Sequence, residues 1–176
     1  MILWLTAATL AAPPTALTGA TTIQADSPRI ACAPPWCEGE IFIDAPPQEV
    51  RATLLDFSGY TELFPRVGSV KQLDAGGIHL TLSMPFPLQD RDYVATAVMG
   101  ETTIVMTPRP HPLVTDVVRL PDFAAHWSIE PEGDGCRVRY IWHTDLGADI
   151  PSWALQRAWT TQGNEVLGRL KLAVEE

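Results

Sequence analysis

The last 26 residues, from Pro151 to Glu176, form the longest helical pattern in the sequence. Proline is favoured in the first turn of a helix, and no later proline interrupts the segment. At about 100° per residue, eight small or apolar residues fall within one arc of roughly 120°. They are Leu155, Trp159, Gly163, Val166, Leu167, Leu170, Ala173 and Val174. The segment therefore predicts an amphipathic helix whose broad apolar face lies against another layer of structure.

Gly163 lies near the middle of this apolar face. Glycine inside a helix lowers the stability of the helix by about 1 kcal/mol relative to alanine. We therefore expect a structural reason for a glycine at this position. Either the helix approaches a strand closely at this point, or its face covers an open space. The sequence alone leaves both interpretations open.

Most of the preceding chain has an apolar pattern with a period of two, which is typical of strands with one buried face. The predicted strands are residues 40–44, 67–74, 78–84, 93–99, 102–107, 113–120, 123–129 and 137–145. Two short helices are predicted between the first and second strands, the first opening at Pro46-Pro47 and the second spanning residues 59–64. A hairpin turn is expected at residues 132–135 because Gly-Asp-Gly follows Glu132.

This order of elements predicts an α+β fold with a single antiparallel sheet of about seven strands. A sheet of that size curls as it twists, which leaves one concave face. The long C-terminal helix is the element available to cover that face. With 176 residues, the chain is long enough for one domain with a sizeable core.

Residues 1–25 contain no charged side chain and begin with an apolar run that is followed by small residues and prolines. This pattern predicts a secretory signal peptide, with cleavage after Ala20 or Ala25, and hence a periplasmic or extracellular protein. An uncleaved membrane anchor and a disordered cytosolic leader are the alternatives. Residues 26–38 are rich in proline and cysteine and are interpreted as a linker or strap, and residues 39–176 as the folded domain.

The net charge of −9 and the lack of a Lys/Arg cluster argue against nucleic acid as a partner. Anionic membrane surfaces are not favoured for the same reason. No G-x-S-x-G, H-E-x-x-H, G-x-G-x-x-G or P-loop motif is present. We therefore expect no catalytic signature, no metal and no cofactor.

Three cysteines are present, and in an exported protein two of them can form a disulfide. Cys32 and Cys37 could close a small loop around Pro34-Pro35-Trp36, which is the pairing we expect. A bond from one of them to Cys136 is the alternative.

Three stretches of the sequence carry a resemblance to known proteins. Residues 40–74, EIFIDAPPQEVRATLLDFSGYTELFPRVGSVKQLD, look like the opening of a polyketide cyclase or coenzyme Q-binding domain. Residues 85–94, PFPLQDRDYV, are similar to the Pro…Asp-Arg-Asp-aromatic-Val stretch of START domains. Residues 145–171 resemble the START ending, in which an "iPsW" segment opens the closing helix. Over about residues 39–174 the chain thus resembles the helix-grip fold that START lipid-transfer domains, polyketide cyclases and coenzyme Q-binding proteins share (the SRPBCC superfamily).

The resemblance implies a deep apolar cavity between the sheet and the C-terminal helix, holding a lipid, sterol, quinone or polyketide-like ligand. The side chains expected to line it are Leu80, Leu82, Met84, Arg91, Tyr93, Trp127, Tyr140, Trp142, Leu155, Trp159, Gly163 and Val166. For the aromatic members, plain core packing is the alternative interpretation. Arg91 could anchor a polar end of the ligand, or it could form an ion pair with a neighbouring carboxylate.

Three functions remain open at this point. We expect first a non-enzymatic protein that binds, carries or stores a hydrophobic small molecule, since polyketide assembly is cytoplasmic and the leader predicts export. The alternatives are an enzyme of the aromatase/cyclase type and an interaction domain with a filled core. A monomer is expected, and transient contact with a membrane is left open.

Overall fold

The computed structural model describes residues 27–33, 35–85, 88–112, 115–147 and 150–176. The predicted signal peptide lies outside these residues. The strands are β1 (Arg29–Ala33), β2 (Trp36–Ile43), β3 (Val67–Leu73), β4 (Gly77–Leu82), β5 (Arg91–Met99), β6 (Thr103–Pro108), β7 (Val118–Arg119), β8 (Asp122–Glu132) and β9 (Gly135–Asp145). The α-helices are α1 (Pro47–Leu55), α2 (Tyr60–Leu63) and α3 (Ser152–Glu175).

The described strands form one curled, unclosed sheet in the order β1-β2-β9-β8-β6-β5-β4-β3. All neighbours in this order are antiparallel, and the two-residue β7 adds a parallel pair with β5. The α+β helix-grip fold predicted from the sequence is confirmed. The predicted hairpin turn is also present, because Glu132 pairs with Gly135 and Gly133 has a φ of 60°.

The sheet begins earlier in the chain than the sequence indicates. Residues 29–33 form β1, which pairs with β2, and Cys32 lies opposite Cys37 in that hairpin. The two cysteines form a disulfide, and Cys136 is a buried free thiol. Part of the segment interpreted as a linker is therefore an edge strand of the domain.

The predicted strand at residues 113–120 is only partly present. Residues 113 and 114 lie outside the described residues, and only Val118 and Arg119 pair with β5. Val118 and Arg119 pair with Arg91 and Asp92 at the start of β5. Strand β6 pairs with β5 only from Ala95 onward, so it does not reach this part of β5. The backbone N–H of Leu120 also donates to the carbonyl oxygen of Asp92, whereas the described residues 115–117 form no strand.

The core lies between the concave face of the sheet and the helices. Helix α3 rests chiefly on β1 and β2, and it also contacts α1 and α2. Helix α1 begins at Pro47 and buries Val50 and Leu54. No helix in the described ranges is long and apolar enough to cross a membrane.

Candidate ligand-binding cavity

Two neighbouring cavities lie between the sheet and α3. The first, the sheet cavity, has a volume of about 90 Å³ and lies against the concave face of the central strands. The second, the helix cavity, has a volume of about 240 Å³ and lies under the N-terminal half of α3. Ligand pockets usually have about 300–1,000 Å³, so only the two together reach the size for a small ligand.

The wall of the sheet cavity is built by side chains from both halves of the domain. They are Tyr60, Phe64, Pro65, Arg66, Val67, Leu80, Leu82, Tyr93, Met106, Phe123, Ala124, Ala125, Trp127, Tyr140, Thr144, Gln162, Glu165 and Val166. The helix cavity is lined by Arg66, Leu82, Met84, Pro85, Leu88, Thr144, Leu146, Ile150, Ala154, Leu155, Ala158, Trp159 and Gln162.

Stacked aromatic rings form the floor of the sheet cavity. The ring centroids of Trp127 and Tyr140 are 4.0 Å apart with an interplanar angle of 15°. Tyr140 also stacks on Trp142, which lies behind the cavity wall, with centroids 4.7 Å apart at 13°. These rings stand on the adjacent strands β8 and β9, where side chains directly opposite each other meet. Tyr93 and Phe123 lie nearby with centroids 4.1 Å apart. The floor is therefore predominantly aromatic.

Burial keeps the tyrosines of this floor uncharged. Removal from water raises the pKa of both Tyr93 and Tyr140 well above the usual tyrosine range. Within the described residues neither hydroxyl makes a hydrogen bond, whereas the hydroxyl of Tyr60 donates to the carbonyl oxygen of Leu54 at 2.7 Å. Tyr93 and Tyr140 thus provide neutral hydroxyl groups on the cavity wall.

The two cavities share four side chains, Arg66, Leu82, Thr144 and Gln162, which we call the junction. Arg66 forms an ion pair with Glu165 of α3, with 3.0 Å between Nε and Oε2 and 3.5 Å between Nη2 and Oε1. Each side chain is 38% exposed, so the pair lies at the boundary between the cavities and solvent. It joins the segment before β3 to the middle of α3.

Local structure positions Arg66 at the junction. Tyr60 and Phe64 pack edge to face with ring centroids 4.9 Å apart, which anchors α2 to the core. Pro65 then ends the helical segment, and the amide of Ser83 donates to the carbonyl oxygen of Arg66 at 2.8 Å. The backbone is thus held on both sides of the arginine.

Nine of the twelve side chains predicted for the cavity lie on its wall. Leu80, Leu82, Tyr93, Trp127, Tyr140 and Val166 line the sheet cavity, and Leu82, Met84, Leu155 and Trp159 line the helix cavity. The contacts with a ligand remain a prediction for all of them. Arg91, Trp142 and Gly163 lie elsewhere.

Gly163 lies at a close contact between α3 and the sheet. A Cβ atom at this position would be 2.5 Å from Cη2 of Trp142 and 2.9 Å from Cδ1 of Ile30. The first of the two sequence interpretations, a close approach to a strand, is therefore correct. Trp142 is 1% exposed and fills the space under the glycine, which is why neither residue lines a cavity.

Arg91 is buried, and its partners differ from both sequence interpretations. Its Nε donates to the carbonyl oxygen of Leu146 at 3.0 Å, and its Nη1 donates to that of Gln89 at 2.6 Å. The guanidinium therefore joins two loop segments, and among the described residues it neither pairs with a carboxylate nor lines a cavity. Main-chain carbonyl oxygens thus supply the hydrogen bonds that these buried N–H groups of Arg91 need.

Asp92 is fully buried on the convex face of the sheet, and three side chains contact its carboxylate. It accepts hydrogen bonds from Arg119 at 2.7 Å and Thr115 at 2.8 Å, and it lies 2.8 Å from Nε2 of His79. Burial alone would raise its pKa, but the bonds from Arg119, His79 and Thr115 outweigh burial and lower it. This cluster fixes β4, β5 and β7 together, so Arg119 is more than a solvated surface residue.

His126 and His143 both have structural contacts in the sheet. His126 is half-buried opposite Trp127 along β8, and burial, with a contribution from the charge of Arg139, lowers its pKa. His143 lies within 3.2 Å of Asp122 and packs against Trp36. In the described ranges no group of three or more His, Cys, Asp or Glu side chains is arranged to hold a metal ion.

Sequence reasoning missed the polar side chains of the junction. Gln162 lies on α3 three residues after Trp159 and four residues before Val166, beside the apolar arc. Its position next to an otherwise apolar face was a signal that it meets the cavity. Glu165, the partner of Arg66, lies outside that arc and gave no such signal. Arg66 gave no comparable signal, because only the contact with α3 brings it there.

A third depression of about 360 Å³ lies outside this layer, between the short helices and the C-terminal part of α3. It is larger than either cavity but it is lined by the charged residues Asp56, Glu62, Arg169 and Glu176. Apolar walls with few polar groups are the usual property of small-molecule sites, so the sheet cavity and the helix cavity are the better candidates.

Solved structures with the same fold support the topology. A STAR-related lipid transfer protein from Xanthomonas axonopodis has a TM-score of 0.70 and 23% identity, covering 85% of this chain and 99% of that one. Human STARD10 has a TM-score of 0.68 and 18% identity, covering 79% of this chain and 62% of that one. The di-domain aromatase/cyclase StfQ of steffimycin biosynthesis has a TM-score of 0.61 and 14% identity, covering 85% and 51%. At these identities the likeness shows the fold alone.

A search of curated protein sequences found no match. A family model described as "Polyketide cyclase / dehydrase and lipid transport" matches residues 37–175, which include every cavity-lining side chain named above. The aromatic floor, the covering helix and this match agree with one another. The chain belongs to the polyketide cyclase/dehydrase and lipid transport family.

Proposed function

We propose that this protein binds a hydrophobic small molecule in the sheet and helix cavities. The observation that carries the proposal is the pair of adjoining apolar cavities, floored by stacked aromatic rings and covered by α3. Burial of an apolar ligand there contributes roughly 25 cal/mol per Å² of surface removed from water, before the costs of association. Such a ligand could be carried or stored.

The chemistry of the wall favours binding over catalysis. General acid–base catalysis needs a titratable group that is free to exchange a proton with the substrate. Among the described cavity-lining residues, the one carboxylate, Glu165, is paired with Arg66, and the tyrosines hold their protons tightly. Cyclase chemistry is the second candidate because the family description includes it. Conversion of a bound polyketide analogue to a cyclised product, detected by mass spectrometry, would favour that candidate.

A cavity-filling variant tests the proposal. Ala125 lines the sheet cavity, and Ala125→Phe places a ring in the space a ligand would occupy. We expect affinity for a fluorescent apolar probe to fall at least about tenfold, a loss of roughly 1.4 kcal/mol of binding free energy. Ala52→Phe, on the exposed side of α1, is the matched control and should bind like the wild type. Equal affinity of all three proteins, with cooperative thermal unfolding, would refute binding in this cavity.

We also propose that the protein is exported. The Cys32–Cys37 disulfide supports this, because disulfides persist mainly in oxidising compartments. Fractionation of expressing cells, followed by intact mass measurement without reductant, checks the proposal. Export predicts a shortened and oxidised chain outside the cytoplasm, and a full-length reduced chain confined to the cytoplasm would contradict it.

A further inference from the structure

The polar side chains of the helix cavity are concentrated at the junction, and most polar side chains of both cavities are uncharged. The helix cavity has three strongly polar side chains, Arg66, Thr144 and Gln162, and all three belong to the junction. Within the described part of the chain, the side chains of Thr144 and Gln162 make no hydrogen bond to protein. Together with the hydroxyls of Tyr93 and Tyr140, they are neutral donors and acceptors available to a ligand.

The charged side chains of the cavity wall already neutralise each other. Among the described lining residues, Arg66 and Glu165 are the ones that carry a formal charge at neutral pH, and they form an ion pair. An anionic ligand group would have to displace Glu165 from Arg66, and a cationic group would have to displace Arg66 from Glu165. Either change leaves one charge of the pair without its partner, which costs free energy even for a pair that is partly exposed at the boundary of the cavities.

We infer that the ligand of this cavity carries an uncharged polar group, such as a hydroxyl or a carbonyl, that hydrogen-bonds at the junction. Its apolar parts then extend into the sheet cavity and the helix cavity. The two cavities contact α3 from Ala154 to Val166, a distance of about 18 Å at a rise of 1.5 Å per residue. The class of ligand is therefore an elongated neutral amphiphile. This inference rests on the proposed function.

The test compares amphiphiles that share one saturated tail and differ only in the head: an alcohol, a carboxylate, an ammonium and a phosphocholine. Each displaces a fluorescent apolar probe at neutral pH, below its micelle-forming concentration. We expect the wild type to bind the alcohol at least about tenfold more tightly than any charged member of the series.

Two variants that leave one charge of the pair unmatched make the test specific to the junction. Glu165→Gln leaves the Arg66 charge unpaired and should shift the preference toward the carboxylate by about tenfold relative to the alcohol. Arg66→Gln should shift it toward the ammonium by a similar factor. The controls Glu62→Gln and Arg169→Gln make the same charge changes at exposed positions outside both cavities and should leave the preference of the wild type unchanged.

Failure of this inference can be distinguished from failure of the proposed function. If no member of the series displaces the probe, and the probe itself does not bind, the proposed function is wrong. If the wild type binds but prefers a charged or zwitterionic head, the inference is overturned and the proposed function stands. Unchanged preferences in both junction variants, each with cooperative unfolding, would also overturn it.

Discussion

At the scale of single residues, Asp92 shows how this fold uses buried charge. Its carboxylate is fully buried, and its partners come from β4, from β7 and from the segment that leads into β7. A buried carboxylate without partners would be protonated or would destabilise the fold, so the three bonds are a condition for its burial. The short β7 is thus attached to β5 both by its parallel backbone pairing and by this carboxylate.

We predict that Asp92→Asn lowers the free energy of unfolding by about 3 kcal/mol at neutral pH, because it leaves Arg119 and His79 facing an uncharged amide. The lowered pKa of Asp92 sets the pH dependence. Its contribution is fully present above the unfolded-state pKa of roughly 3.9 and is lost as the pH falls through the lower folded-state value. Urea unfolding at neutral pH and at a pH below both values measures the difference.

The control for this prediction is Asp116→Asn, which removes an exposed carboxylate from the same region of the chain. It should change stability by less than about 0.5 kcal/mol. An Asp92→Asn variant that is as stable as this control at neutral pH would show that the cluster contributes nothing to the fold.

At the scale of elements, α3 presents two neighbouring stripes to the domain. Leu155, Trp159, Gln162 and Val166 face the cavities, whereas Gly163, Leu167 and Leu170 are buried against the rest of the protein. Because α3 rests chiefly on the β1–β2 hairpin, it covers the central strands without packing down on them. The cavities lie in the space that this arrangement leaves.

Two glycines of α3 give a matched pair of substitutions. We predict that Gly163→Ala destabilises the protein by about 1–3 kcal/mol, since the added methyl group overlaps Trp142. Gly168→Ala should stabilise it by up to about 1 kcal/mol, because its Cβ meets nothing within 4 Å and alanine favours the helix. Thermal unfolding of both variants measures the opposite signs, and stabilisation by Gly163→Ala would contradict the close contact.

At the scale of the whole molecule, the sequence could predict what depends on local pattern. Period-two alternation located most strands, and the long amphipathic helix together with the family resemblance indicated the layer it covers. Leu80 and Leu82 of β4 and Trp127 of β8, which the resemblance implied for the cavity, lie on its wall, and their contact with a ligand stays a prediction. What the sequence could not predict depends on contacts between distant segments.

Three residues illustrate that limit. Arg66 lines the cavity because it meets Glu165, which lies 99 positions later in the chain. Alternation along β5 predicts that Arg91 faces the concave side of the sheet. Its guanidinium instead donates to the carbonyl oxygens of Gln89 and Leu146. β1 lies in a proline- and cysteine-rich segment whose composition suggests a linker, and only pairing with β2 makes it a strand.

The most direct test of the central claim is native mass spectrometry of the purified protein after exposure to a total lipid extract, followed by organic extraction of the bound fraction. The account predicts a complex with one small molecule that is apolar over most of its length and carries no charged group. A mass that corresponds to the unliganded protein after the same exposure would contradict it, and would mean that the space beneath α3 is only imperfectly packed core.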